Sequence, residues 1–236
     1  MITDALLDKF AWMGYDCVKG PISGIVLRFP GLGSTGMKSD PDPFDLEWGN
    51  AGALPVLAYQ DPWGWMNAET QRFIDDVVEA IQKRHALGPE VPVISTGGSM
   101  GGHAALLWAM KSRHPIAACL ALFPVCDIPF HYTERPDLPR TFHHAYGSYE
   151  DITEELIKHS PLHQVASMPD IPYLLIHGDK DVAVGKKAHS DKMVTAMRKR
   201  NLRVEYMERP NLGHGGPMDY ETHRKMIDFV ISRLKR

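Results

Sequence analysis

The fold is decided by the stretch VPVISTGGSMGGHAALLWAMKSR, which occupies residues 91–113. It contains a short apolar strand, a glycine-rich turn and an apolar helical segment. A nucleophile elbow requires this order, because a serine on a sharp strand-to-helix turn needs small residues two positions before and after it. Gly97 and Gly101 stand at those positions around Ser99. We therefore expect Ser99 to be a nucleophile, the alternative being a glycine-rich turn that only allows close packing.

Apolar runs of strand length alternate with amphipathic helical segments on both sides of this stretch. The runs are rich in Val, Ile and Leu without polar alternation, as expected for parallel strands covered by helices on both faces. This pattern predicts an α/β fold with a doubly wound, mostly parallel sheet and right-handed crossovers. The predicted strands occupy residues 24–29, 55–59, 91–95, 116–123, 171–177 and 203–208, with a weaker one near 16–19.

Two segments carry apolar residues at helical spacing, and Asn67 is a candidate N-cap for the first. The stripes comprise Ile74, Val77, Val78 and Ile81 in one helix and Ile227, Val230, Ile231 and Leu234 in the other.

Two long stretches interrupt the alternation, a Gly/Pro/Asp-rich loop at 34–53 and an aromatic segment at 126–147. Long loops of this kind are usually functional. We expect one domain spanning residues 1–236, with 126–147 as a small cap-like insertion.

Composition and charge argue against several classes of function. The 236 residues are 44% hydrophobic and 23% charged, and the formal net charge is −3. This balance indicates no basic surface for nucleic acid and no polybasic membrane anchor. No apolar run approaches the roughly 18–20 residues that span a bilayer. Three cysteines and an N-terminus without a signal-peptide pattern favour a cytoplasmic protein, or a secreted one if a leader has been removed.

A serine nucleophile needs a base, and the base needs a group that orients it. In hydrolases with such an elbow, the acid and then the base follow the serine along the chain. The predicted strand at 171–177 runs into Gly178-Asp179-Lys180-Asp181, which offers two candidate acids, Asp179 and Asp181. Either aspartate could instead stabilise a turn or cap a helix.

One histidine, His214, lies between the last predicted strand and the final helix. Its glycine neighbours Gly213 and Gly215 would let this loop fold over the serine. His223 comes next but lies four residues before Ile227 on an apolar stripe, which favours a packing role. We expect His214 to be the base, since its order and position match.

An oxyanion hole needs two hydrogen-bond donors. The N–H of Met100, directly after the serine, is one candidate. The other should come from the loop after an earlier strand, here Phe29-Pro30-Gly31-Leu32-Gly33. Pro30 has no N–H, so the N–H of Leu32 is the candidate. The alternative for this loop is an ordinary glycine turn.

Aromatic residues suggest where a substrate would bind. Trp63 and Trp65 follow the predicted strand at 55–59, and further aromatics populate residues 126–147. Around a cleft they would favour an apolar or aromatic substrate group, but they could equally anchor a cap to the core. The pair His143-His144 lacks the companion ligands of a zinc site. We expect no metal and no cofactor.

These residues together resemble the catalytic domain of the prolyl oligopeptidase family within the α/β-hydrolase superfamily. The resemblance runs from residue 24 to the end and rests on GGSMGG (97–102), HGDKDVAV (177–184) and GHG (213–215). In that family the pattern His-Gly-x-x-Asp carries the catalytic acid at its last position, which implies Asp181. The match to GHG implies His214 as base. An α/β-hydrolase fold with the triad Ser99, Asp181 and His214 follows from the resemblance.

The chain also departs from that family. It has no room for the large N-terminal propeller of the peptidases, and Phe29-Pro30-Gly31 replaces a His-Gly-Gly motif near the oxyanion loop. Both departures favour an esterase over a peptidase. The elbow is similar to that of bacterial carbohydrate acetyl esterases as well, although Gly215 follows His214 where those enzymes carry Glu.

The leading hypothesis is a serine carboxylesterase that cleaves short-chain, acetyl-type esters of small molecules through an acyl-enzyme on Ser99. The second is a prolyl oligopeptidase-like aminopeptidase or acylamino-acid peptidase. The third is a non-catalytic binding protein on a hydrolase fold, which the intact order of serine, acid and histidine disfavours. The sequence leaves the natural substrate and the oligomeric state open.

Overall fold

The apolar runs form a seven-stranded sheet in the computed structural model, which describes residues 2–147 and 151–234. The strand order is β1-β3-β2-β4-β5-β6-β7, and all neighbours are parallel except β1 and β3. The strands are β1 (Ala11–Met13), β2 (Gly24–Phe29), β3 (Ala53–Ala58), β4 (Val93–Gly98), β5 (Ile116–Leu122), β6 (Tyr173–Gly178) and β7 (Val204–Arg209). The predicted doubly wound α/β fold is confirmed.

Helices connect these strands and cover both faces of the sheet. They are α1 (Asp4–Phe10), α2 (Pro43–Asn50), α3 (Ala68–Arg84), α4 (Met100–Lys111), α5 (Ile128–Glu134), α6 (Pro139–Tyr146), α7 (Thr153–Lys158), α8 (Ser190–Lys199) and α9 (Tyr220–Ile231). The predicted cap of α3 is confirmed, because the side chain of Asn67 accepts a hydrogen bond from the N–H of Thr70 at 2.9 Å.

The alternation of side chains along β4 divides the core into two layers. Val93 packs with Ile74 of α3 and Leu106 of α4 on one face. Ile94 packs with Ile227 of α9 on the other face. All five side chains are at most 1% exposed, and burying one such side chain stabilises the fold by about 1.5–3 kcal/mol. Because both layers are apolar, the strands need no polar face.

The structure differs from the expectations at the N-terminal side. Residues 16–19 form no strand; a 3₁₀ turn covers Tyr15–Cys17 instead. The seventh strand is β1, which pairs antiparallel with β3 and is too short, at three residues, to show a period. The expected loop at 34–53 contains α2, whose capping aspartate, Asp42, accepts hydrogen bonds from two backbone N–H groups. Its Asp- and Pro-rich start is typical of a loop and of a helix cap alike.

The expected insertion lies between β5 and β6 and has a small core of its own. Phe142 of α6 and Ile128 of α5 are fully buried there together with Leu156 of α7. Since α7 begins at Thr153, the insertion extends beyond the predicted limit of residue 147. Met100 belongs to the same cluster, so this core lies next to the turn that carries Ser99.

Candidate active site

Ser99 occupies the sharp turn between β4 and α4, with φ 59° and ψ −124°. A non-glycine residue with positive φ is strained, and such strain at a strand-to-helix turn is the mark of a nucleophile elbow. A Cβ at Gly97 would lie 2.3 Å from the carbonyl oxygen of Gly101, and one at Gly101 would lie 2.2 Å from that of Phe29. A side chain at either position would collide with backbone oxygen atoms, so the turn requires glycine at both.

The loop after β2 lies against this turn. Its start contacts Gly101, and the side chain of Leu32 packs against the cluster that contains Met100. Met100 is the first residue of α4, where backbone N–H groups have no intrahelical acceptor. The structure thus places both expected oxyanion donors, the N–H groups of Leu32 and Met100, on segments that pack together.

The acid and the base meet at the ends of β6 and β7. Oδ2 of Asp181 lies 2.7 Å from Nδ1 of His214. Asp179 points elsewhere, because its Oδ1 accepts a hydrogen bond from the N–H of Asn211 at 2.6 Å. The carbonyl oxygen of Leu212 also accepts from the N–H of Lys180 at 3.1 Å. Of the two candidate acids, the structure pairs Asp181 with His214 and uses Asp179 to brace the histidine loop.

The carboxylate of Asp181 is fully buried and has a complete set of donors. Its Oδ1 accepts from the N–H groups of Ala183 and Val184, both at 2.9 Å. Its Oδ2 lies 3.3 Å from Nε2 of His177 as well as next to His214. Burial opposes ionisation, but the hydrogen bonds from His177 and His214 outweigh it and hold the pKa of Asp181 well below its usual range.

His177 is a site residue that the sequence reasoning did not single out. Its Nε2 faces two acceptors, the carbonyl oxygen of Val184 at 3.0 Å and Oδ2 of Asp181. Its Nδ1 lies 2.7 Å from Oγ of Ser190. In the neutral imidazole the proton therefore sits on Nε2, and the serine hydroxyl donates to Nδ1. The sequence feature that could have identified His177 is its position at the end of a buried strand, four residues before Asp181.

The ring of His214 packs edge-on against Phe123, with centroids 4.7 Å apart, and its side chain is 26% exposed. Phe123 follows β5 and also has a positive φ, 34°. The N–H of Ser99 donates to the carbonyl oxygen of Leu122 at 3.0 Å, which ties the elbow to the same strand end. These contacts bring Ser99, Phe123 and His214 to one edge of the sheet, where open α/β folds bind ligands.

The two candidate substrate-binding tryptophans have different surroundings. Trp65 is 1% exposed, its Nε1 donates to Oγ1 of Thr141 at 2.9 Å, and its ring stacks on Phe142. Trp65 has no free surface for a substrate; it anchors the insertion, which corrects the expected role. Trp63 is only half-buried and lies under the guanidinium of Arg140, 5.4 Å from the ring centroid.

Among the residues that the structure describes, one group of side chains has the composition of a metal site, namely His131, Glu134 and His189. Nδ1 of His189 accepts hydrogen bonds from the N–H groups of Cys126 and Asp127, both at 3.1 Å. The proton of a neutral His189 is therefore on Nε2, which donates to Oε2 of Glu134 at 2.9 Å. In this arrangement Nε2 has no lone pair for a metal. The group joins the insertion to the core through hydrogen bonds.

The strained serine turn, the Asp181–His214 pair and the parallel sheet define an α/β-hydrolase of the serine type. Residues 64–236 match the description "Prolyl oligopeptidase family", and the chain belongs to that family. It is thus a member of a serine hydrolase family. None of the helices in the described part of the chain is long and apolar enough to cross a bilayer.

Solved structures with the same fold include peptidases of greater length. A Pyrococcus horikoshii acylaminoacyl peptidase superposes with a TM-score of 0.77 at 15% identity, over 96% of this chain and 40% of that one. A Mycobacterium tuberculosis puromycin-hydrolysing peptidase gives 0.75 at 15% identity, over 91% and 34%. The chain thus spans between a third and two fifths of these peptidases.

A structure of similar length also matches. It is described as a sugar hydrolase from Lactococcus lactis, with a TM-score of 0.68 at 18% identity, covering 93% of both chains. At these identities the likeness establishes the fold alone.

Proposed function

We propose that this protein is an acyl hydrolase in which Ser99 is the nucleophile, His214 the general base and Asp181 the group that orients the base. The observation that carries the proposal is the 2.7 Å contact between Asp181 and Nδ1 of His214 at the sheet edge that holds the strained serine. This contact leaves Nε2 of His214 to take the serine proton.

In the proposed reaction, Oγ of Ser99 attacks the carbonyl carbon of the substrate while its proton passes to Nε2 of His214. The N–H groups of Leu32 and Met100 stabilise the negative oxygen of the tetrahedral intermediate. His214 then returns the proton to the leaving group, and the acyl-enzyme forms. Water, deprotonated by the same histidine, attacks the acyl-enzyme and releases the acid and free Ser99.

For the bond that is cleaved, we propose a peptide-type amide in a small substrate, such as an aminoacyl or acylamino-acid compound. Membership of the prolyl oligopeptidase family and the fold shared with peptidases support this alternative over the esterase that the sequence departures favoured. Hydrolysis of short-chain esters is the second candidate. It is supported by the small size of the cavity next to the serine turn, about 110 Å³.

The decisive experiment combines covalent labelling with turnover. We expect a fluorophosphonate probe to label Ser99 in the wild type and not in Ser99→Ala. The substrate panel contains aminoacyl-p-nitroanilides, acylaminoacyl-p-nitroanilides and p-nitrophenyl esters from C2 to C12. Turnover of the anilides supports the peptidase, whereas turnover of only the C2–C4 esters supports the esterase. Labelling of Ser99→Ala at the wild-type rate contradicts the proposed nucleophile.

A further inference from the structure

A cavity of about 110 Å³ lies between the sheet and the layer formed by α2 and α9. Gly97 and Gly98, which directly precede Ser99, form part of its wall. Phe44, Trp48, Leu122 and Met226 are among its apolar lining residues. The cavity is therefore next to the proposed nucleophile, on the α2/α9 side of the sheet.

The lining residues differ in exposure. Gly98 and Leu122 beside the serine turn are half-buried, as are Arg28 and Phe44, whereas Trp48 and Met226 are each 2% exposed. The wall beside the serine turn is therefore partly accessible, and the wall formed by Trp48 and Met226 is buried. A group attached to the reacting carbonyl carbon could enter from the serine side.

Trp48, which lines the cavity, has an unused hydrogen-bond donor. Its Nε1 is buried and has no acceptor among the residues that the structure describes. Two other buried tryptophans behave differently: Nε1 of Trp65 donates to Thr141, and Nε1 of Trp108 donates to Asp75, both at 2.9 Å. Buried polar groups in native proteins almost always have a partner, so the indole N–H of Trp48 is free to donate to an acceptor that a ligand supplies.

The charges next to the cavity select the kind of acceptor. The guanidinium of Arg28 lies 5.7 Å from the ring centroid of Trp48, and its Nη1 is 2.6 Å from carboxylate oxygens of both Asp42 and Asp45. Lys38 contacts the same two carboxylates. Two cations and two anions cancel, so the cavity favours a neutral oxygen acceptor over an ion.

We propose that this cavity binds the side chain carried by the acyl group of the substrate, and that it selects a short chain ending in a neutral oxygen acceptor, such as a carboxamide. At about 30 Å³ for each water-sized group, the cavity holds about four non-hydrogen atoms. The side chain of asparagine has four, and its Oδ1 is the acceptor that Nε1 of Trp48 lacks. The inference rests on the proposed function, because it takes Ser99 as the residue that is acylated.

The kinetic test compares two side chains of nearly equal shape, the p-nitroanilides of asparagine and leucine. One hydrogen bond is worth about 3- to 10-fold, so we expect the wild type to favour asparagine in kcat/KM by this factor. In Trp48→Phe, which removes the N–H and keeps an aromatic ring, the ratio should fall to about one. Trp108→Phe is the matched control and should retain the wild-type ratio, since its N–H is bound to Asp75. An unchanged ratio in Trp48→Phe overturns the inference.

A binding test separates this inference from the proposed function. Ser99→Ala, with ¹⁵N-labelled tryptophan, is titrated with N-acetyl-asparagine amide and, in parallel, with N-acetyl-leucine amide. The indole resonance of Trp48, identified by its loss in Ser99→Ala/Trp48→Phe, should shift with the asparagine compound only. If this resonance shifts but the wild type hydrolyses none of the substrates, the proposed function is wrong and the inference about the cavity is supported. If it does not shift, the inference fails whatever the wild type hydrolyses.

Discussion

Nδ1 of His214 lies 2.7 Å from Oδ2 of Asp181, a carboxylate whose other oxygen is held by two backbone N–H groups. The carboxylate therefore cannot rotate without losing several hydrogen bonds. Such preorganisation fixes the tautomer of the histidine, with the proton on Nδ1, before a substrate arrives. The geometry of this pair leads to the first prediction.

Asp181→Asn should lower kcat by roughly three to four orders of magnitude, because the histidine then adopts the wrong tautomer. Asp179→Asn should lower kcat tenfold or less, since Asp179 accepts from the N–H of Asn211 and lies 3.9 Å from Nζ of Lys180. Circular dichroism must show that both variants are folded before the rates are compared. A folded Asp179→Asn protein without activity would assign the acid to Asp179 instead.

His177 should act as a positioning residue through its hydrogen bond to Asp181. We expect His177→Leu to lower kcat about tenfold with little change in KM, because the carboxylate loses a donor and orients His214 less firmly. His177→Gln, which retains an N–H, should restore most of kcat. If the folded glutamine variant is as slow as the leucine variant, the hydrogen bond from His177 does not position Asp181.

The two tryptophans should separate stability from substrate binding. Trp65→Ala should lower the free energy of unfolding by about 3–5 kcal/mol, because it removes a buried ring and its hydrogen bond to Thr141. Trp63→Ala should cost far less stability and raise KM, because the half-buried ring is the tryptophan surface still available to a substrate. Urea unfolding and Michaelis–Menten kinetics on the same two variants provide the measurements. A KM for Trp63→Ala equal to that of the wild type would remove Trp63 from the binding site.

His103 should make the protein less stable in mild acid. Burial of its ring lowers the pKa of His103 to about 3, while in the unfolded chain the value is about 6.5. Between these values the unfolded state binds a proton that the folded state does not. The free energy of unfolding should thus decrease as pH falls below about 6.5, by up to about 1.4 kcal/mol per pH unit from this group. His103→Gln should flatten the curve by that amount in urea titrations between pH 7 and 5; an identical slope would refute the assignment.

The sequence by itself determined the features that depend on neighbouring residues. Strand and helix periodicity specified the doubly wound sheet, and the glycines around Ser99 specified the elbow, since the small residues a turn requires are close to it in the chain. The cap of α3 by Asn67 is equally local. The order of serine, aspartate and histidine reduced the candidate triads to two.

Only the tertiary structure decided how distant segments meet. It brought Asp181, the acid that the family resemblance implied, to His214, because the histidine loop is held against the end of β6. It placed His177 beside the carboxylate of Asp181. It buried Trp65 in the core of the insertion and left Trp63 half-buried. Side-chain direction in a loop depends on contacts made across the fold, and no local pattern of residue types encodes them.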